Sequence, residues 1–261
     1  MLKKFVADLH IHTVLSACAE VEMIPPLIVE RALELGLSLI AITDHNSAEN
    51  VAACMEAAEG TNLTVLPGME VETEEEVHLL CLFDTLEQVL TMQGRVYNHL
   101  PPLKNKDDVF GPQFVVDATG EFIAYNDRLL LTATSLSVEG VVERVNELGG
   151  VCIPAHIDRP SYSLLANLGF IPPDLNFPAL EITPRAKPAE LLKQFPDLAG
   201  YTLIVDGDAH RLSEINARTV FTLSEPIIAE LRLAFAGREG RGVQIIEGCH
   251  DRNVVAAVNE S

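Results

Sequence analysis

Seven short runs of the chain, FVADL (5–9), LSLIAIT (37–43), LTVLPG (63–68), VHLLCLF (77–83), GVCIPA (150–155), ALEIT (179–183) and TLIVDG (202–207), are apolar at consecutive positions. A strand with one wet face alternates apolar and polar residues, whereas a continuous run suits a strand buried on both faces. Such strands need helices to cover them. PPLIVERALELG (25–36) has prolines near its start and a glycine at its end, and SVEGVVERVNELGG (137–150) has a serine cap and a Gly-Gly stop. The alternation predicts an α/β fold with seven parallel strands, as a βα barrel or a doubly wound sheet. Residues 95–134 break the pattern. Their prolines, Lys/Asp cluster and turn signals (NHLPPLKNKDDVFGPQ, DATGE) predict an irregular insertion with one hairpin, on the scale of a functional loop. No linker divides the chain, so residues 1–240 are expected to form one domain carrying that insertion, with 241–261 as a C-terminal extension.

The runs end in polar residues of one kind. DLHIHT follows the first, TDHN the second and PGME the third; His78 lies on the fourth, PAHIDRP follows the fifth and DGDAH the seventh. Residues i and i+2 of a strand share a face, so His10 and His12 point the same way. In a parallel barrel every strand C-terminus opens onto one face. Six of the eight histidines therefore converge there with Asp44, Glu70 and Asp208. Core packing does not explain this, because buried polar groups are costly unless paired. Nine side chains exceed one tetrahedral ion, so two or three ions are expected, and imidazole with carboxylate suits Zn, Mn or Fe. His99 and His250 match no motif.

Eighteen basic residues against 38 acidic ones give a formal charge of −20. Such a field repels polyanions from most of the surface. Long-duplex nucleic acid is accordingly not expected as a partner, and a small anionic substrate is, admitted where metal ions and a few arginines reverse the local sign. The five cysteines are scattered without a CxxC, so no disulfide framework is expected and a reducing cytoplasm fits. The first residues, MLKKFVADLH, hold too short an apolar run for a secretory signal, and no apolar stretch reaches membrane-spanning length.

The ordered set HxH, DH, GxE, a further His, a lone His and DxH resembles the polymerase and histidinol phosphatase (PHP) family over residues 5–210. The resemblance implies a distorted, TIM-like (β/α)7 barrel holding two or three divalent ions and hydrolysing phosphate esters. It implies that His10 and His12 hold one metal with Glu70 and Asp208, that Glu70 bridges to a second held by His78 and His156, and that His45 and His210 hold a third. Asp44 either binds or orients a ligand. Many members carry a histidine or aspartate shortly after HxH; here HTVLSACAEVE offers Cys18, Glu20 or Glu22. A Cys18 thiolate would favour Zn or Fe, the alternative being an inert buried cysteine.

Clustered divalent ions lower the pKa of bound water and clamp phosphoryl oxygens. A metal-bound hydroxide is thus expected to attack phosphorus, with Glu70, His156, Asp208 and His210 as the catalytic group. Arg159 and Arg185, just beyond strand ends, are the expected phosphate clamps. The expected substrate is a small phosphate ester: a nucleotide, a short oligonucleotide, or a sugar or amino-alcohol phosphate. Two other readings stay open. Amidohydrolase barrels also begin with HxH, but none of the lysines here ends a motif-bearing central strand. A metal-binding regulatory barrel without turnover is the other.

Overall fold

A computed structural model describes residues 1–246. The expected C-terminal extension (241–261), with Cys249 and His250, lies for the most part outside the described residues.

All seven runs are strands. The chain begins with β1 (Lys3–Ile11), α1 (Pro25–Glu34), β2 (Leu39–Ile42), α2 (Val51–Ala57), β3 (Thr64–Glu72) and β4 (His78–Leu82). Next comes α3 (Leu86–Tyr97), whose last turn enters the insertion, and the insertion itself supplies α4 (Asp107–Phe110) and the antiparallel hairpin β5 (Phe114–Val116) with β6 (Phe122–Tyr125). After it come α5 (Val138–Glu147), β7 (Val151–Pro154), α6 (Leu164–Asn167), β8 (Ala179–Ile182), α7 (Pro188–Gln194) and β9 (Thr202–Val205). The described chain ends with β10 (Thr219–Leu223), α8 (Ile228–Phe235) and β11 (Gly242–Ile245). The helix signals act where they stand: α1 has proline at its first positions, and the Ser137 side chain accepts a hydrogen bond from Gly140 N to cap α5.

The main sheet runs β11-β10-β1-β2-β3-β4-β7, and β8 and β9 form a separate parallel pair. Backbone hydrogen bonds tie that pair and the turn after it to the sheet, Ile157 N to Glu181 O at one side, and Ala209 N to His10 O with His12 N to Ala209 O at the other. The fold is therefore mixed α/β with a curled seven-stranded sheet. The expectation of seven parallel strands needs correction, because β4 lies antiparallel to both β3 and β7. The reason is the length of the connection. β3 extends to Glu72, and the five residues Thr73–Val77 are too few for the dozen-residue crossover that a parallel neighbour requires. The reversal pairs Glu72 with His78 and so carries the N-terminus of β4 to the end of the sheet where β1, β2 and β3 finish.

Two apolar clusters flank the sheet. Ile40, Ile42, Val71 and Cys81 pack with the inward faces of α1, α3 and α5, whereas Leu9, Leu39, Leu80 and Ile153 pack with Phe221 and α8. Gly68 is needed between β2 and β4, because a Cβ there would stand 2.9 Å from both Leu82 Cδ2 and Thr43 Cγ2.

Candidate metal centre

β1 sets the first two ligands. Ala209 N donates to His10 O and His12 N donates to Ala209 O, which places the HxH pair directly against Asp208 and His210. From β2, Glu70 N donates to Asp44 O and Asn46 N to Glu70 O, so the 44–46 turn is docked on β3 and His45 is laid over Glu70. His78 arrives through the reversed β4 and His156 from the end of β7. His156 and Asp208 hold left-handed backbone, at φ 32° and 45°. Non-glycine residues in such conformations cost about 1–3 kcal/mol each and tend to mark functional sites.

Glu70, fully buried, is the hub. Its Oε1 lies 2.8 Å from His78 Nδ1, 3.2 Å from His156 Nε2 and 3.3 Å from His10 Nε2; its Oε2 lies 2.8 Å from His45 Nδ1 and 3.5 Å from His12 Nε2. Asp208 Oδ1 is 3.4 Å from the Nε2 atoms of both His10 and His12. Burial alone would raise the Glu70 carboxyl, but the charges of His78, His10 and His45 hold it well below the ordinary carboxylate range. Burial likewise pulls His10 and His45 down, and the facing carboxylates, Glu181 and Glu70 for the first and Glu70 for the second, lift both well above an ordinary imidazole.

Three donor groups are tight enough to share an ion: His10, His12 and Asp208; His45, Glu70 and His78; His12, His45 and His210. The donor set fits divalent cations on two further observations. His10 Nε2 and His12 Nε2 face each other at 3.1 Å, and among the described residues the buried Glu70 Oε2 and His156 Nδ1 have no properly aligned hydrogen-bond partner. Buried lone pairs without donors, facing each other at His10 and His12, are what a cation would satisfy.

Residues behind the donors fix their tautomers. His10 Nδ1 donates to Glu181 Oε2 at 2.9 Å and His210 Nδ1 to Asp208 O at 2.9 Å, leaving both Nε2 atoms free to ligate. His12 Nδ1 lies 3.0 Å from Ser16 Oγ, which donates to Asp44 Oδ1 at 2.7 Å. Asp44 also accepts from Thr13 N and Thr13 Oγ1, and it belongs to none of the three donor groups. The exposed Cys18 stands beside the His12, His45 and His210 group. Burial of its thiol opposes ionisation, but hydrogen bonds to His210 and His45 bring it down to about 6.

Arg159 pairs with Asp208 Oδ2 and remains 41% exposed, so it borders the centre. Arg185 is not brought to the centre; it lines a cavity that it shares with Arg159. Arg211 is paired with Glu20. His99 sits in the insertion, its Nδ1 on Arg95 O.

Sequence reading missed Glu181, Ser16 and the buried pair Asp8 and Asp206. Asp8 accepts from Gly207 N, Asn216 N and His10 N, clamping the DGD turn to β1. The signal was a lone acid inside or ending an apolar run: FVADL, ALEIT and TLIVDG each carry one.

A model of the PHP domain family matches residues 8–164. The 5′-3′ exoribonuclease Rnm of Escherichia coli K12 is 35% identical over 81 residues, which are 29% of this chain and 26% of that protein. The lesion-specific endonuclease PfuEndoQ of Pyrococcus furiosus superposes with TM-score 0.68 at 22% identity, covering 92% of this chain and 58% of that one. An Endonuclease Q complex with a 27-mer duplex substrate, an abasic lesion at its active site, gives TM-score 0.65 at 21% identity, with the same coverage. The chain thus spans about a quarter of that exoribonuclease and little more than half of the endonuclease. These findings overturn the expectation of a small substrate with long-duplex nucleic acid excluded. The physical reason is that net charge averages over the whole surface and hides local groupings of the opposite sign, such as Arg159, Arg185 and Lys187 on one cavity. No helix among the described residues is long and apolar enough to cross a membrane.

Proposed function

We propose, from the premise that this chain belongs to the PHP domain family, that its centre hydrolyses phosphodiester bonds in a nucleic-acid strand. The observation that carries the reading is the convergence of five imidazoles within 3.5 Å of the single buried carboxylate of Glu70. In this reading β8 and β9 complete a distorted (β/α)7 barrel around it. His10, His12 and Asp208 hold one ion, and Glu70 with His45, His78 and His156 a second. His210 with His12 and His45 holds a third, with Cys18 at its open side. Divalent ions bound there supply Lewis acidity and lower the pKa of a bound water.

The chain's own residues do the rest. Glu181 and the Ser16–Asp44 pair keep protons on the Nδ1 atoms of His10 and His12, so their Nε2 lone pairs stay inward. Arg159, anchored on Asp208 and still accessible, offers its outer N–H groups to a phosphoryl oxygen. The left-handed backbone at His156 and Asp208 marks both as positions held in a sparsely populated conformation at the centre. Zn, Mn and Fe all suit this donor set.

The test is cleavage of end-labelled single-stranded RNA, single-stranded DNA and duplex DNA by the purified protein with Mn²⁺ or Zn²⁺. Fragments that need the metal and vanish in Glu70→Gln, with circular dichroism unchanged, are expected. Intact strands of all three kinds at full metal loading would refute it.

A further inference from the structure

Beside the centre, between the stretch from Ile157 to α6 on one side and the stretch from Arg185 through α7 to Phe195 on the other, opens a cavity of about 420 Å³. Its lining has two kinds of surface. Leu165, Leu191 and the half-buried Phe195 form an apolar wall, and Arg159, Arg185 and Lys187 stand on its rim. Two acids, Asp158 and Glu190, also line it, but each is engaged. Asp158 accepts from Thr183 N at 2.8 Å and Thr183 Oγ1 at 2.6 Å, and Glu190 pairs with Lys187 at 3.0 Å. The Arg185 guanidinium makes no hydrogen bond or ion pair among the described residues. Three positive charges against two negative leave the rim at +1 in a chain whose sum is −20. Arg159 joins the two places, lining the cavity while it holds Asp208.

We propose that this cavity is a nucleotide subsite, its apolar wall taking a nucleobase and Arg185 the phosphate attached to that unit. Arg159 then stands between it and the phosphate undergoing hydrolysis. This rests on the nuclease reading and names the part of the strand that the enzyme grips. Three features select the ligand class. The volume lies in the range of pockets that enclose small organic groups. A bare phosphate would use Arg185 and leave the apolar wall wet, and a sugar phosphate would press hydroxyls against it. A base presents a π-face to Phe195 and the leucines while its phosphate reaches the rim. Gln194, on the same lining, carries both a donor and an acceptor for a base edge.

Calorimetric titration of the full chain as purified, with a 5′-mononucleotide, ribose 5-phosphate and inorganic phosphate, tests this without turnover. The mononucleotide is expected to bind about tenfold or more tighter than ribose 5-phosphate, as stacking of one base implies. Phe195→Ala should bring that ratio towards one, and Arg185→Ala should weaken both sugar phosphates alike. Ala166→Trp, at an exposed lining position, fills the cavity and carries the same expectation as Phe195→Ala should that variant fold poorly. Equal affinities in the parent protein, or a base preference that survives in folded Phe195→Ala or Ala166→Trp, would overturn the subsite. Cleavage of nucleic acid without base preference removes the subsite alone; base preference without cleavage of any strand removes the nuclease reading alone.

Discussion

Removing the Glu181 carboxylate should weaken metal binding without touching a ligand. His10 Nδ1 and Glu181 Oε2 are 2.9 Å apart and both side chains are fully buried, so the pair is shielded from bulk water. The carboxylate keeps the proton on Nδ1 and the lone pair on Nε2, the atom that faces His12, Glu70 and Asp208. β8 cannot move to compensate, because Glu181 O accepts from Ile157 N and the strand is paired along its length with β9. Glu181→Gln keeps an acceptor oxygen and loses the charge. Glu181→Ala loses both, and His10 is then free to place its proton on Nε2 and turn away from ligation. Loss of such an outer partner typically weakens metal binding about 10–100-fold, or about 1.4–2.7 kcal/mol. Glu181→Gln is expected near the lower bound and Glu181→Ala near the upper. Competition against a chromophoric chelator, with Zn²⁺ at fixed pH, measures the affinities, and circular dichroism of the stripped proteins checks the fold. Parent and both variants agreeing within about twofold would show that Glu181 does not set the His10 tautomer.

Asp206 should behave as a buried neutral acid. Burial first, then the charges of Asp8 and Glu181, push its carboxyl well above the ordinary range, and its Oδ2 has no partner among the described residues. A raised acid binds more protons folded than unfolded, so it subtracts stability progressively as pH climbs above about 4. Asp206→Asn should therefore raise stability at neutral pH by an amount on the order of 1 kcal/mol, seen as a higher melting temperature, and give no gain near pH 4; the opposite trend across a pH series of melts would disprove it. For the metal-stripped protein, raised His10, His45 and His78 add stability that is complete below their ordinary 6.5 and lost as pH climbs through their raised values. Depressed Glu70 adds stability that is present above its ordinary 4.5 and lost as pH falls towards its lowered value. Stripped protein should thus be most stable between these limits. Ligation needs imidazoles without protons, so the stabilisation conferred by added Zn²⁺ should grow from about pH 5.5 to about pH 8; a shift independent of pH would contradict the ligand set.

What could be read from the chain alone follows from what each residue must do locally. Burial on both faces leaves a continuous apolar run, so all seven strand positions were legible, and six histidines at their ends announced a shared centre. Direction was not, since an apolar run reads the same either way. For β4 it was decided by the short Thr73–Val77 connection, which became visible only once β3 was known to continue to Glu72. Without that reversal His78 would sit at the far end of the sheet from Glu70, so the ligand was right while its geometry rested on a turn. Orienting residues are harder to see because they look like faults in a hydrophobic pattern: Glu181 in ALEIT and Asp206 in TLIVDG are single acids where the strand wants none. Such acids have one physical excuse, a buried donor opposite, and here the donors are His10 Nδ1 and Leu9 N. Partner chemistry failed for the converse reason. Charge was summed over 261 residues, although a strand approaching the centre feels mainly the charges within a Debye length, about 8 Å in physiological salt. Arg159, which pairs with Asp208 and keeps an accessible side, is the cation that borders the centre.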